Sequence, residues 1–210
     1  MNDESLTILD RPLEPIQWPS NFSGQKLFIQ GEDWENNAML NWSHFPAELY
    51  AFAYKDAADS LVEAMANRQV PPDSAIYPLL FLYRHSLELQ LKLMLKSARS
   101  LTGKESKNYD KHPLMPLWSE LRHLLKELGL ERSDVEANAV HGFIRQLHDI
   151  DPESMAFRYA MTNSGKDHLP DVTHINIRHL REVLNSVFVW LNGTYNWIGE
   201  MDSGQSSHTI

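Results

Sequence analysis

The hydrophobic and polar positions between Tyr77 and Arg99 predict a long helix that is buried over most of its surface. At about 100° per residue, its charged side chains fall within a sector roughly 120° wide, and leucines and other apolar residues cover the rest. The charged sector contains Arg84, His85, Glu88, Lys92, Lys96 and Arg99. Because so wide an apolar surface needs neighbours on several sides, we predict that this segment is the central helix of a bundle.

Four further segments show helical spacing. Apolar residues recur every three or four positions in residues 43–70, 113–128, 133–151 and 173–201. We expect Ser43 to cap the first of these helices, Pro78 to lie in the first turn of the central helix, and Ser133 with Glu136 to form a capping box. The pattern predicts an all-α fold, a helical bundle of about five main helices in one domain over residues 43–202.

The ends of the chain lack this periodicity. Residues 1–42 combine three prolines with several large rings, among them Trp18, Phe28 and Trp34. Prolines interrupt regular structure, yet large rings are rarely left in water. We therefore predict an irregular, aromatic N-terminal arm packed onto the bundle, in which residues 26–30 could form a short strand. Residues 203–210 are predicted to be a frayed tail.

Residues 151–172 also show no sustained period, and they include Asn163, Gly165 and Pro170. This composition predicts either a long irregular segment or a small hairpin. Loops of this length inside compact domains are usually functional or mobile. We therefore treat the segment as a candidate part of a site.

Composition narrows the classes of function. The formal net charge of −9 argues against a protein whose affinity comes from covering DNA phosphates or anionic lipid, so we expect neither DNA nor a membrane as partner. The absence of cysteine excludes disulfides and thiolate sites and fits a reducing, cytoplasmic setting. The first residues do not have the pattern of a signal peptide. The apolar runs are interrupted by charges, so we expect no membrane span.

Three short motifs carry a resemblance to a known family. YRHSLELQLK in the buried helix, KHPLMPLWSEL at the start of the next helix, and DPESMAFRY after the fourth helix resemble bacterial HEPN-like helical-bundle proteins over roughly residues 45–200. The resemblance implies a bundle of four or five helices that is commonly a homodimer. It also implies a place in toxin, anti-phage or RNA-processing systems, and many members are metal-independent ribonucleases.

The chain departs from this family at the ribonuclease motif. Ribonuclease members carry an arginine, then four to six residues, then a histidine, and no arginine of this sequence has a histidine at that distance. Arg84 and His85 are adjacent, and Arg145 precedes His148 by only two intervening residues. The catalytic assignment of the family therefore cannot be transferred to any pair in this chain, and whether it is an enzyme stays open.

The charged stripe of the central helix is the best candidate site. Glu88 lies four residues after Arg84 and four before Lys92, a spacing that forms ion pairs along a helix. In the functional hypothesis, Arg84, Lys92 and Arg158 bind an anionic group such as an RNA phosphate or a nucleotide. Glu88 and Arg158 complete this network. Glu88 and His112 are the candidate catalytic residues, and His112 is the group for proton transfer near neutral pH.

A second hypothesis of a different class stays open. The charges could form a structural ion-pair network that ties the central helix to the 151–172 segment, in a non-catalytic interaction or dimerisation module. A metal site has little support, because only Glu120 and His123 have the spacing of carboxylate-bridged bundles, and the spacing of His112, His168 and His174 does not favour zinc. No phosphate-binding or dinucleotide-binding glycine motif occurs, so we expect no cofactor.

Overall fold

The structure, a computed structural model, describes residues 18–110, 112–130, 134–162, 164–169 and 172–206. The chain divides into two units, one ending at His44 and the other beginning at Phe45. The described part of the second unit folds into five α-helices. They are α1 (Pro46–Ala66), α2 (Pro72–Leu101), α3 (Leu114–Glu127), α4 (Asp134–Ile150) and α5 (Ile177–Ser206). The predicted all-α helical bundle is confirmed.

Helix α2 lies at the centre of the bundle, as the periodicity predicts. It contacts α1, α3 and α5, and α4 packs on α3 and α5. Its apolar side chains lie in the main core, where Leu79, Leu91 and Leu95 are fully buried. Helix α1 approaches it closely, since Ser86 Oγ donates to the main-chain oxygen of Ala51 at 2.7 Å. The core therefore fixes α2 on several sides and determines where its charged side chains can go.

Several helix boundaries differ from the predicted ones. Helix α2 begins at Pro72, so Pro78 lies inside the helix and its predicted place in the first turn is wrong. Pro72 can start the helix because its missing N–H has no helical partner at that position. The added turn is held by the core, since Ala75 is buried. Ser43 does not cap α1, because Phe45 occupies the N-cap position.

The end of the last helix also differs from the predicted one. Helix α5 begins at Ile177 and continues to Ser206, beyond the predicted end near residue 201. Ser133 and residues 207–210 lie outside the described residues, so the capping box at Ser133 and the end of the tail stay predictions. The described residues between 151 and 172 form turns and one antiparallel bridge, between Met161 and Asp167. This arrangement agrees with the first of the two predictions, an irregular segment, and the bridge is its one hairpin-like contact among those residues.

From residue 18 onward, the first unit contains two short 3-10 helices, Pro19–Phe22 and Trp34–Asn36. The side chain of Asn37 accepts from Gly31 N at 2.7 Å and donates to Gly31 O at 2.9 Å, which closes the turn between them. Residues 26–30 form no strand. Packing of the arm on the bundle stays a prediction, and residues 1–17 lie outside the described part of the chain.

Among the described helices, none combines the length and the apolar character that crossing a bilayer would require.

Candidate functional site

Arg84 lies at the centre of a buried polar network, and its side chain is fully buried. Nη1 donates to Glu88 Oε2 at 3.2 Å, and Nη2 donates to the main-chain oxygen of His112 at 3.0 Å. Nε donates to the main-chain oxygen of Asp151 at 3.1 Å and lies 3.2 Å from Asp151 Oδ2. The guanidinium therefore joins α2 to the segment before α3 and to the end of α4.

The opposite charges around Arg84 make this burial tolerable. Glu88 and Asp151 are buried carboxylates, and Lys92 Nζ adds a second cation at 2.9 Å from Glu88 Oε1. Two cations and two anions are thus paired within the network. A buried charge without a partner would be strongly destabilising, whereas paired and hydrogen-bonded charges can be accommodated. The ion pairs predicted from the spacing of Arg84, Glu88 and Lys92 are confirmed.

Asp151 organises the start of the 151–172 segment. Its Oδ1 accepts from the main-chain N–H of Met155 at 2.6 Å and from that of Ala156 at 2.9 Å. Sequence reasoning used Asp151 only as a helix end and did not assign it to the site. The available signal was an aspartate just after a helix and before Pro152, a place where a short carboxylate often binds nearby backbone N–H groups. Its contact with Arg84 could not be read from the sequence.

Glu88 holds His112 at the edge of the network. Glu88 Oε1 lies 2.8 Å from His112 Nδ1, and the His112 side chain is 52% exposed. Burial would raise the pKa of Glu88, but the hydrogen bonds from Lys92 and His112 outweigh it and hold that pKa below its usual value. Because the carboxylate accepts at Nδ1, the neutral imidazole carries its proton there and keeps a lone pair on Nε2. His112 is therefore arranged as a proton acceptor.

His85 is a second histidine at this edge. Its ring stacks on Phe81, with centroids 5.5 Å apart, and meets the edge of Tyr54 at 4.5 Å. Burial lowers the pKa of His85 below its usual value. The charge of Glu88 opposes this shift, and the nearby groups His112, Lys92 and Arg84 add to it. His85 is thus a neutral, ring-stacked neighbour of the network near pH 7.

Arg158 does not complete the network as expected. Its Nε donates to the main-chain oxygen of Ser154 at 2.6 Å. Its guanidinium lies over the rings of Phe81 and Tyr159, at 5.8 Å and 5.5 Å from their centroids. None of its contacts among the described residues is to Arg84 or Glu88. The guanidinium instead makes cation–π contacts with the rings of Phe81 and Tyr159. Because Phe81 also stacks on His85, Arg158 flanks the site from the side of His85.

A groove beside Lys92 is lined by three lysines. This groove, called the basic groove below, has a volume of about 400 Å³ and is formed by the start of α1, the middle of α2 and residues 107–109. It is lined by Pro46, Ala47, Tyr50, Leu89, Lys92, Leu93, Lys96, Lys107, Asn108 and Tyr109. No acidic side chain is among these described lining residues, although the chain has 28 aspartates and glutamates.

The lysines of the basic groove differ in their partners. Lys92 binds Glu88, and Lys107 Nζ donates to Glu120 Oε2 at 2.9 Å. Lys96 is exposed and has no ion pair with the residues that the structure describes. Tyr109 donates to Glu120 Oε1 at 2.8 Å, and burial together with this carboxylate raises the pKa of Tyr109 to about 12. The tyrosine therefore presents a neutral hydroxyl, and Lys96 is available to an anion.

The structure brings together four of the five residues that sequence reasoning assigned to the site, since Arg84, Lys92 and His112 each contact Glu88. Arg84 is the fully buried member of this group, and Arg158 lies beside it. Sequence reasoning did not assign Lys107, Tyr50 or Tyr109, because they belong to segments that are remote from Lys92 in the chain. Lys96 was placed on the charged stripe without a role. The candidate site is therefore the basic groove together with the Glu88–His112 edge that adjoins it through Lys92.

Metal binding has no geometric support in the described part of the chain. No group of three or more His, Asp or Glu side chains there is placed to hold an ion. His123, which had the only suggestive spacing with Glu120, lies 3.0 Å from Glu127 instead.

Comparisons of this chain with protein-family models, curated proteins and solved structures found no match.

Proposed function

We propose that this chain is a HEPN-like, RNA-associated protein of the toxin or defence kind, and that the basic groove binds the phosphates of RNA or of a nucleotide. The observation that carries the proposal is the gathering of three lysines in one groove of a chain with a net charge of −9, with no carboxylate among the described lining residues. Lys92 and Lys107 are also paired with Glu88 and Glu120 beside the groove, and Lys96 keeps its charge available. The helical bundle and the three motifs that resemble the family support it. A local excess of cations in an acidic protein favours a specific anionic ligand over general adhesion to polyanions.

The groove has side chains suited to the phosphate of a nucleotide and to its base. The ammonium groups of Lys92, Lys96 and Lys107 can each donate to phosphate oxygens, as charge-assisted hydrogen bonds. Tyr50 supplies a ring on which a base can stack without regard to sequence, whereas the ring of Tyr109 already has Lys107 Nζ over it at 5.1 Å from its centroid. Tyr50 is exposed, so its ring is accessible from solvent. The groove therefore suits single-stranded RNA, whose bases are free to stack.

His112 would supply proton transfer at one end of this groove. It shares Glu88 Oε1 with Lys92, so the imidazole and the ammonium flank the same carboxylate. A phosphate held by Lys92 would then lie near the His112 imidazole, whose Nδ1 is held by Glu88 Oε1. In this assignment His112 is the catalytic residue, Glu88 positions it, and Arg84 holds Glu88.

Equilibrium titration with a short fluorescent single-stranded RNA tests the binding. We expect Lys96→Ala and Lys107→Ala each to weaken binding about fivefold, since one exposed charge contact contributes about 1 kcal/mol. Lys166→Ala is the matched control, because Lys166 is also exposed but does not line the groove. Equal weakening in all three variants, or no binding by the unmodified protein, contradicts the proposal. Competition by AMP distinguishes a nucleotide site from one that needs several phosphates.

Incubation of the protein with RNA in EDTA tests the catalytic part separately. Cleavage that survives chelation and is lost in His112→Ala supports the assignment. Unchanged cleavage by His112→Ala would remove His112 from the mechanism without affecting the binding result. Absence of cleavage together with intact binding would leave an RNA-binding protein that lacks ribonuclease activity.

One observation favours the second candidate, a non-catalytic dimerisation module. Val189 on α5 is 71% exposed and lines a groove of about 330 Å³ between α4 and α5, beside Phe143 and Trp190. Val135 at the start of α4 is also exposed. An exposed apolar position beside a concave apolar surface is typical of contact sites. A sedimentation experiment that finds a dimer, and a monomer for Val189→Glu, would favour this candidate.

A further inference from the structure

A separate cavity of about 240 Å³ lies among the start of α2, the second half of α4, the first turns of α5, and Phe157, Leu169 and residues 172–176. Its walls are apolar and include Phe143, Leu147, Phe157 and Leu184. Its polar groups are Gln146, His174, Asn176 and His179. It shares no lining residue with the basic groove. Concave apolar sites with a few polar groups are the usual form of a small-molecule site.

We propose that this cavity binds a small, uncharged aromatic compound of one or two rings that carries a hydroxyl or carbonyl group. The proposal goes beyond the RNA-associated function and does not depend on it. The size of the ligand follows from the volume. An engineered cavity of about 150 Å³ binds benzene, so a cavity about half as large again accommodates a second ring or a substituent. The aromatic side chains of Phe143 and Phe157 in the lining favour a flat aromatic body over a flexible chain.

The polar residues of the cavity determine which polar group the ligand can carry. No lysine, arginine, aspartate or glutamate is among the described residues that line the cavity, so an ionised head group would have no permanent countercharge there. The imidazole of His179 has no hydrogen-bond partner within the described structure and can donate to or accept from the ligand. Asn176 Oδ1 is already used, since it accepts from the main-chain N–H of His179 at 3.0 Å. A neutral hydroxyl or carbonyl is the group that fits this rim.

The wall of the cavity is held in place by the buried network. Phe157 follows Met155 and Ala156, whose N–H groups are bound by the carboxylate of Asp151. Asp151 is in turn bound to Arg84. Phe157 is itself buried, so its ring does not reorient freely. A wall that is already ordered lowers the entropy lost when a ligand binds, which is the condition for tight binding of a small compound.

Titration with naphthol, followed by NMR of the methyl groups, tests the site on the unmodified full chain. We expect saturable shifts at methyls that line the cavity, such as those of Leu80, Leu147 and Val172. Naphthol should bind more tightly than octanol, which has the hydroxyl but no ring. Shifts that stay linear to the solubility limit, shifts centred outside the cavity, or tighter binding of octanol would each overturn the proposal.

Variants place the ligand within the cavity. Val183→Phe adds a ring to the lining and should weaken naphthol binding at least about tenfold, whereas Asn185→Phe, which adds a ring at an exposed position of α5 outside the cavity, should leave it unchanged. His179→Leu should remove the preference for naphthol over naphthalene. RNA binding should be unaffected in all of them, which separates this site from the basic groove. A folded Val183→Phe with unchanged affinity overturns the proposal, and if that variant does not fold, the methyl shifts of the unmodified chain decide.

Discussion

Arg84 is a charged side chain that the fold has removed from water. Three of its nitrogen atoms donate to three different residues, two of them through main-chain oxygens. An RNA phosphate therefore has no access to this guanidinium, and the contacts match the hypothesis of a structural network between the central helix and the 151–172 segment. The same residue thus serves the site only by holding Glu88 and the ends of neighbouring segments in place.

Replacement of Arg84 tests this structural role. We expect Arg84→Met to lower the free energy of unfolding by about 3–5 kcal/mol, because Glu88 and Asp151 are left as buried charges with one partner fewer. Arg145→Met is the matched control, since Arg145 is 66% exposed and its pair with Asp149 should contribute about 1 kcal/mol or less. Urea unfolding of both variants measures the difference. A loss in Arg84→Met no larger than in the control would contradict the role assigned to the network.

His85 gives a prediction for the dependence of stability on pH. Its pKa in the folded protein is lowered from 6.5, mainly by burial. The unfolded chain therefore binds the proton first, so the contribution of His85 is fully present above pH 6.5 and is lost as the pH falls toward the lower folded pKa. His85→Phe keeps a ring on Phe81 and cannot titrate. Its unfolding free energy should fall less between pH 7 and pH 5 than that of the unmodified protein, and an identical fall would exclude burial of a neutral His85.

At the scale of elements, the helices follow from the periodicity and the polar connections do not. The apolar spacing in α2 predicts a buried helix, and the spacing of Glu88 and Lys92 predicts their ion pair. Asp151 reaches Arg84 from the end of α4, 67 residues further along the chain, and nothing in the local sequence indicates that contact. Lys107 and Tyr50 join Lys92 only because two segments fold onto α2. Contacts that depend on how elements pack cannot be derived from the period of one element.

The start of α2 shows a second limit of sequence reasoning. The Pro71-Pro72 pair is read as a helix break, yet Pro72 begins the helix and Pro78 is accommodated inside it. Proline in the interior of a helix is unfavourable because it removes a hydrogen bond and crowds the preceding turn. Burial of Ala75 and of Leu79 on the two sides of Pro78 stabilises the added turn. Tertiary packing has therefore overridden a strong local preference.

Asp151 provides the prediction for the 151–172 segment. In Asp151→Ala the N–H groups of Met155 and Ala156 lose their acceptor, and Arg84 loses one countercharge. We expect faster hydrogen exchange at these two amides, because an unbound N–H opens to solvent more readily. Asp149→Ala, which removes an exposed carboxylate two residues earlier, is the control. If both variants exchange at the same rate as the unmodified protein, Asp151 does not hold this turn.

At the scale of the whole molecule, the distribution of charge is uneven. The net charge of −9 repels a polyanion at long range, whereas the basic groove attracts one locally. Composition alone predicts the repulsion and argues against broad nucleic-acid binding. It does not predict the groove, because the lysines of the groove are brought together by folding. Binding should therefore be confined to few phosphates and depend on the salt concentration in proportion to them.

The salt dependence of RNA affinity tests the proposed function most directly. For a single strand each neutralised phosphate contributes about 0.7 to the slope of log affinity against log salt, so three lysines predict a slope of about −2. In Lys96→Ala the slope should become shallower, at about −1.4, while Lys166→Ala should keep the original value. A slope near zero, or one that Lys96→Ala leaves unchanged, would contradict phosphate binding in the basic groove.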